Sequence, residues 1–77
     1  MKVKGITADW CGKCDVAKVK LADYPIEWVD VDDVPEYEGF KINELPTFII
    51  INENDVLESI VTKSVLFVKR MFEDEHG

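Results

Sequence analysis

The chain has 77 residues, 47% of them apolar and 32% charged, which suits one small domain with a thin core and is too apolar for a disordered segment. Nine Lys and Arg against sixteen Asp and Glu give a net charge of −7. That balance argues against a nucleic-acid partner, which needs a basic face, and against an anionic membrane surface. No apolar run approaches the ~20 residues of a membrane span. No secretory hydrophobic region follows Met1-Lys2-Val3, so a cytoplasmic location is the default expectation.

Val3 to Ala8 predicts a first strand, broken by Asp9-Trp10-Cys11-Gly12. From Cys11 or Gly12 to about Ala22 the pattern predicts a helix with Val16, Ala17 and Leu21 on its buried side, stopped by Pro25. Ile26 to Val31 reads as a strand followed by solvent-facing acids, and Pro35 to Phe40 as a short helix or turn-rich segment ended by Gly39. Thr47 to Ile51 is continuously apolar and largely β-branched, as in a strand covered on both faces. Asn52 to Asp55 predicts a hairpin loop and Val56 to Val61 the partner strand. Ser64 is placed to cap a last helix, Val65 to about Glu73, with Val65, Val68 and Phe72 on one face.

The expected order is β-α-β-α-β-β-α, one α/β domain over residues 1–77. The first βαβ unit is parallel and right-handed, and the hairpin completes a four-stranded mixed sheet with helices on both faces. His76, beside the chain end, is expected to be unstructured.

The only cysteines, Cys11 and Cys14, form a C-x-x-C pair. As a staple this pair closes a very small loop and removes little entropy from the unfolded chain. Placed in the first turn of a helix, the two Cβ atoms lie roughly 5–6 Å apart, slightly beyond disulfide distance, so a small adjustment serves both oxidation states. The helix N-terminus favours a thiolate at Cys11 and lowers its pKa, with Cys11 the more exposed sulfur. Cys11 would then attack a substrate disulfide and Cys14 resolve the mixed disulfide. Two other readings stand beside this one. A zinc or iron–sulfur site lacks enough ligands in one chain but can be shared by two copies in a dimer. Two inert thiols are the other, against which Trp10, Gly12 and Lys13 around the pair look like a site. Asp30, Asp32 and Asp33 lack a calcium loop's glycine and read as a solvated edge.

These residues carry a family resemblance. Asp9-Trp10-Cys11-Gly12-Lys13-Cys14 resembles the Trp-Cys-Gly-Pro-Cys active site of thioredoxins. Val29-Asp30-Val31-Asp32-Asp33-Val34-Pro35 resembles their following strand and the start of the next helix, and Leu45-Pro46-Thr47-Phe48 their Ile-Pro-Thr segment. In size the chain is similar to glutaredoxins and to the glutaredoxin-like hydrogen donors of ribonucleotide reductase. The resemblance implies a protein-disulfide reductase with Cys11 as nucleophile and Cys14 as resolving thiol. It implies that Pro46 is a cis-proline packed against the disulfide, that Trp10 shapes the rim, and that Leu45 offers backbone hydrogen bonds to an extended substrate. Read from the residues alone, Trp10 also suits a plain boundary aromatic, and the isomer of Leu45–Pro46 stays open.

Several departures stand out. Lys13 replaces the proline between the cysteines, Gly5 the family's buried acid, and Trp28 that acid's lysine partner. We expect Trp28 to pack over Gly5 and fill the vacated volume. The glycine after the fourth strand falls at Thr62, and Val61-Thr62-Lys63-Ser64 lacks the glutaredoxin segment that binds glutathione. The expected partners are therefore disulfide-containing proteins, with ribonucleotide reductase the family-level target, and an upstream reductase or glutathione as electron donor. No cofactor, metal, nucleic acid or membrane is expected, and the chain is expected to be a monomer.

Overall fold

The structure, a computed structural model, describes residues 1–76, with side chains through Asp74. Strand β1 (Lys2–Thr7) is followed by helix α1 (Gly12–Lys20) and strand β2 (Ile26–Asp30). A short hairpin of β3 (Glu36–Tyr37) and β4 (Phe40–Lys41) comes next, then β5 (Thr47–Ile51), β6 (Leu57–Thr62) and helix α2 (Val65–His76). The main sheet runs β2-β1-β5-β6, with β1 parallel to β2 and antiparallel to β5, and β5 antiparallel to β6. This is the expected four-stranded mixed sheet. The Asn52–Asp55 loop joins its hairpin, held by Asn52 Oδ1, which accepts from the N–H groups of Asn54 and Val56.

Strand periodicity divides the core. Val3, Phe48 and Ile50 point to one side and pack with Ala17 and Leu21 of α1 and Val68 and Phe72 of α2. Ile6, Ile49 and Ile51 point to the other and pack with Ile42, flanked by Val29, Val34, Tyr37, Leu45 and Leu57. Every residue of β5 is buried, as its unbroken apolar run predicts.

The middle of the chain departs from the sequence reading. No helix forms between Pro35 and Phe40. Glu38 and Gly39 both have positive φ, 47° and 86°, which is the geometry of a tight two-residue hairpin turn. Both helices consequently lie on one face of the sheet, and the opposite face is covered by the segment from Val31 to Leu45 rather than by a helix. The helix α2 backbone extends through His76, where an unstructured end was expected; the His76 side chain lies outside the described residues.

Gly5 and Trp28 are register partners on β1 and β2. A Cβ built on Gly5 would lie 2.5 Å from both Cε3 and Cζ3 of Trp28. The indole occupies the space over the glycine, as the paired departure at these two positions predicts. Its ring meets the fully buried Phe48 edge-on, centroids 6.0 Å apart at 68°, and Lys18 Nζ lies 5.9 Å from its centroid.

Candidate active site

The parallel β1–α1–β2 unit places the start of α1 at the C-terminal end of the sheet's central strand. After β1 the chain turns back on itself, the Cys11 N–H donating to the Ala8 carbonyl at 3.1 Å. Cys11 is the N-cap of α1, with φ −97° and ψ 103°, and its sulfur accepts the Cys14 N–H at 3.3 Å. A helix N-terminus carries unpaired N–H groups and a partial positive charge. Here one of those N–H groups is aimed at sulfur, where most helices aim it at a side-chain oxygen.

Both thiols are unbonded and both are buried, Cys11 at 8% exposure and Cys14 at 0%. The exposure expected of Cys11 is slight: its side chain tucks beneath Val31 and Leu45, which pack on the Ala8, Cys11 and Cys14 cluster. The expected order is kept, because Cys11 alone reaches the surface. Burial, and next its hydrogen bond to the Cys11 sulfur, push the Cys14 thiol up from 9.0 to about 11. The Ala8 backbone and the Lys18 ammonium pull it the other way.

An open cleft exposes Cys11, walled by Trp10, Lys13, Val31, Ile42, Glu44, Leu45 and Lys63. Trp10 stands 79% exposed at its rim. Gly12 also borders the cleft, and a Cβ there would meet nothing within 4 Å, so no close contact demands glycine at this position. Lys13 is exposed. The N–H that reaches the Cys11 sulfur belongs to Cys14 and not to Lys13. The Leu45–Pro46 bond is cis. Pro46 is buried at the head of β5, its carbonyl accepting the Lys63 N–H at 2.8 Å, while the Thr47 hydroxyl donates to the Glu44 carbonyl. These bonds fix the turn that carries Leu45 to the edge of the cleft. Among the described residues no three of His, Cys, Asp and Glu come together as a metal site.

The sequence reading thus located Trp10, Cys11, Gly12, Lys13 and Leu45 around one cleft; Pro46 lies outside its lining and borders the neighbouring groove with Lys13 and Lys63. It missed Val31, Ile42, Lys18 and Lys63. Lys18 was findable, since it stands one helical turn beyond Cys14 on the same face. Lys63 was not, because its position depends on a backbone φ of +63° at the end of β6.

No family model matches the chain. Among curated proteins it is 33% identical over 63 residues to a thioredoxin H-type of Fagopyrum esculentum, covering 71% of this chain and 54% of the relative. It is 38% identical over 64 residues to thioredoxin H3 of Arabidopsis thaliana, covering 71% and 53%. The chain belongs to the thioredoxin superfamily. It spans about half the length of these relatives. Solved structures agree on the fold. The germline-specific thioredoxin Deadhead of Drosophila melanogaster aligns with a TM-score of 0.72 at 22% identity, over 94% of this chain and 77% of that one. Thioredoxin 1 of Thermosipho africanus aligns at 0.62 and 20% identity over the whole of both chains. This chain forms the β3–β4 hairpin where a second helix was one expectation, and the Trp28 indole fills the space over Gly5, beside Lys18 of α1.

Proposed function

We propose that this thioredoxin-like chain is a thiol–disulfide oxidoreductase that reduces protein disulfides through Cys11 and Cys14. The observation that carries the reading is the asymmetry of the pair: Cys11 faces the cleft and accepts a helix N–H, while Cys14 is sealed beneath it with its proton held firmly. Cys11 thiolate attacks one sulfur of the substrate disulfide. A Cys11–substrate disulfide forms, and the other substrate sulfur leaves as a thiolate that takes a proton from water. Cys14 then loses its proton to water and attacks the Cys11 sulfur. The second substrate thiolate departs, and Cys11 and Cys14 are left joined as a disulfide. Two electrons pass to the substrate, and an upstream dithiol or glutathione restores them.

Two of the influences that raise the Cys14 thiol are its hydrogen bond to Cys11 and the Cys11 charge. Both end when Cys11 enters the mixed disulfide, so Cys14 ionises more readily at the step that needs it. Leu45 stands at the cleft edge on the turn before β5. An extended substrate segment pairs with its backbone there in β-augmentation, with Trp10 against its side. The partners under this reading are disulfide-bearing proteins, ribonucleotide reductase being the family-level candidate. Turnover of insulin disulfides with dithiothreitol as reductant tests it. The wild type accelerates precipitation of the insulin B chain and Cys11→Ser does not; equal rates for the two proteins overturn the reading.

A further inference from the structure

The charge of this chain is unevenly spread. It carries −7 overall, yet a second groove beside the cysteine cleft has a basic rim. This groove runs between α1 and the start of α2. Its first part is lined by Lys13, Val16, Pro46, Lys63 and Val65, and its continuation by Lys20, Val65, Leu66 and Lys69. Among the described residues no acidic side chain lines either part. The floor is apolar, with Val16 at 52% and Leu66 at 59% exposure. Lys13, Lys20 and Lys69 form no ion pair with any described residue. Lys63 has one weak surface pair, 3.6 Å to Glu44, with both side chains about half exposed, an arrangement worth little in water.

Two features tie this groove to the cysteine site. Lys13 and Lys63 line both the groove and the cleft over Cys11, so the two surfaces are continuous. Lys63 also holds its place at φ +63°, a conformation that glycine adopts without penalty and a residue with a Cβ does not. The backbone there favours glycine, and a lysine projects its charge into the junction of the two surfaces.

We infer that the α1–α2 groove is a docking surface for an acidic, partly apolar segment of the disulfide-bearing substrate protein, which delivers its disulfide to Cys11. The inference rests on the dithiol reading of Cys11 and Cys14. Charge complementarity selects the occupant: apolar side chains cover Val16, Val65 and Leu66, and carboxylates meet the four lysines. Such complementarity acts mainly on encounter rate and partner choice, and salt weakens it. A basic segment is repelled by this rim, which carries no carboxylate among the described residues.

Disulfide-linked peptides with acidic, neutral or basic flanks test the inference, together with the same peptides carrying serine for cysteine and the small uncharged disulfide bis(2-hydroxyethyl) disulfide. For the wild type, kcat/KM for the acidic peptide exceeds that for the basic one by roughly tenfold at low salt, and the gap narrows several-fold at high salt. The serine peptides bind in the same order. Lys20 and Lys69 line only the far part of the groove. K20E/K69E therefore reverses the peptide preference while reduction of the uncharged disulfide is unchanged, and K20Q/K69Q abolishes the preference without reversing it. Equal binding of acidic and basic serine peptides overturns the docking inference whether or not any disulfide is reduced. Failure to reduce the uncharged disulfide, with the serine peptides still ranked acidic first, overturns the redox reading and leaves the docking surface standing.

Discussion

Substituting Gly5 by alanine sets two effects against each other. Backbone propensity alone says that Gly5→Ala stabilises β1, since glycine inside a strand costs about 0.5–1 kcal/mol relative to alanine. Sterics say the reverse. The new methyl group would stand 2.5 Å from two ring carbons of Trp28 and 3.1 Å from Cγ2 of Ile26, where carbon atoms pack at ~3.5–4.0 Å. The indole must retreat by about 1 Å. Phe48, which it meets edge-on, is fully buried and gives no room on that side. Overpacking of this kind costs about 1–3 kcal/mol, so after the propensity gain sterics win by up to about 2.5 kcal/mol, and a contact this short belongs to the upper half of that range. At roughly 4–8 °C per kcal/mol for a domain of this size, the melting temperature of the reduced protein falls by about 5–15 °C. A double-mutant cycle separates this from a generic strand defect. Trp28→Leu removes the clashing ring, so Gly5→Ala costs less in that background, with a coupling of at least ~0.5 kcal/mol. Gly5→Ala melting at or above the wild type, or additive changes around the cycle, would refute the packing account.

Further predictions concern the thiols. Folding favours the protonated Cys14 thiol, raised from 9.0 to about 11, so the stability this contributes is complete below pH 9 and lost as pH rises through about 11. The reduced protein should lose about 2–3 kcal/mol across that window beyond what Cys14→Ser loses, measured by urea unfolding at each pH. Lys18 is a positioning residue behind Cys14. Lys18→Met should move the Cys14 titration further up and lengthen the life of the mixed disulfide while leaving the first attack by Cys11 unchanged; stopped-flow traces in which both steps slow equally would contradict that role. Lys13 puts a positive charge beside the dithiol and favours its reduced form. Lys13→Met and Lys13→Pro should both shift the reduction potential to more negative values, by under ~20 mV for the exposed charge alone, read against a dithiothreitol redox buffer.

Much of the site was legible because its residues act locally. A C-x-x-C pair after a strand and before a helical pattern fixes which sulfur stands at the helix start and which lies three positions deeper. The Gly5 and Trp28 exchange was legible as a reciprocal change of volume at two positions that β1–β2 pairing then placed opposite each other. What was missed depends on contacts distant in sequence. Two-residue strands are too short to show alternation, so the β3–β4 hairpin read as a short helix or a turn-rich segment. Its turn is made by φ values that only Gly39 hinted at. The burial of Cys11 comes from Val31 and Leu45, which no local pattern around the cysteines contains.

Under the proposed mechanism Cys11 attacks and Cys14 resolves. Mass spectrometry of the reduced protein after brief exposure to a small disulfide tests this most directly. The wild type should lose two hydrogen atoms and hold no adduct, Cys14→Ser should accumulate a stable adduct on Cys11, and Cys11→Ser should remain unmodified at neutral pH. A rapid adduct on Cys14 in the Cys11→Ser variant, or no adduct on Cys11 in Cys14→Ser, would contradict the assignment.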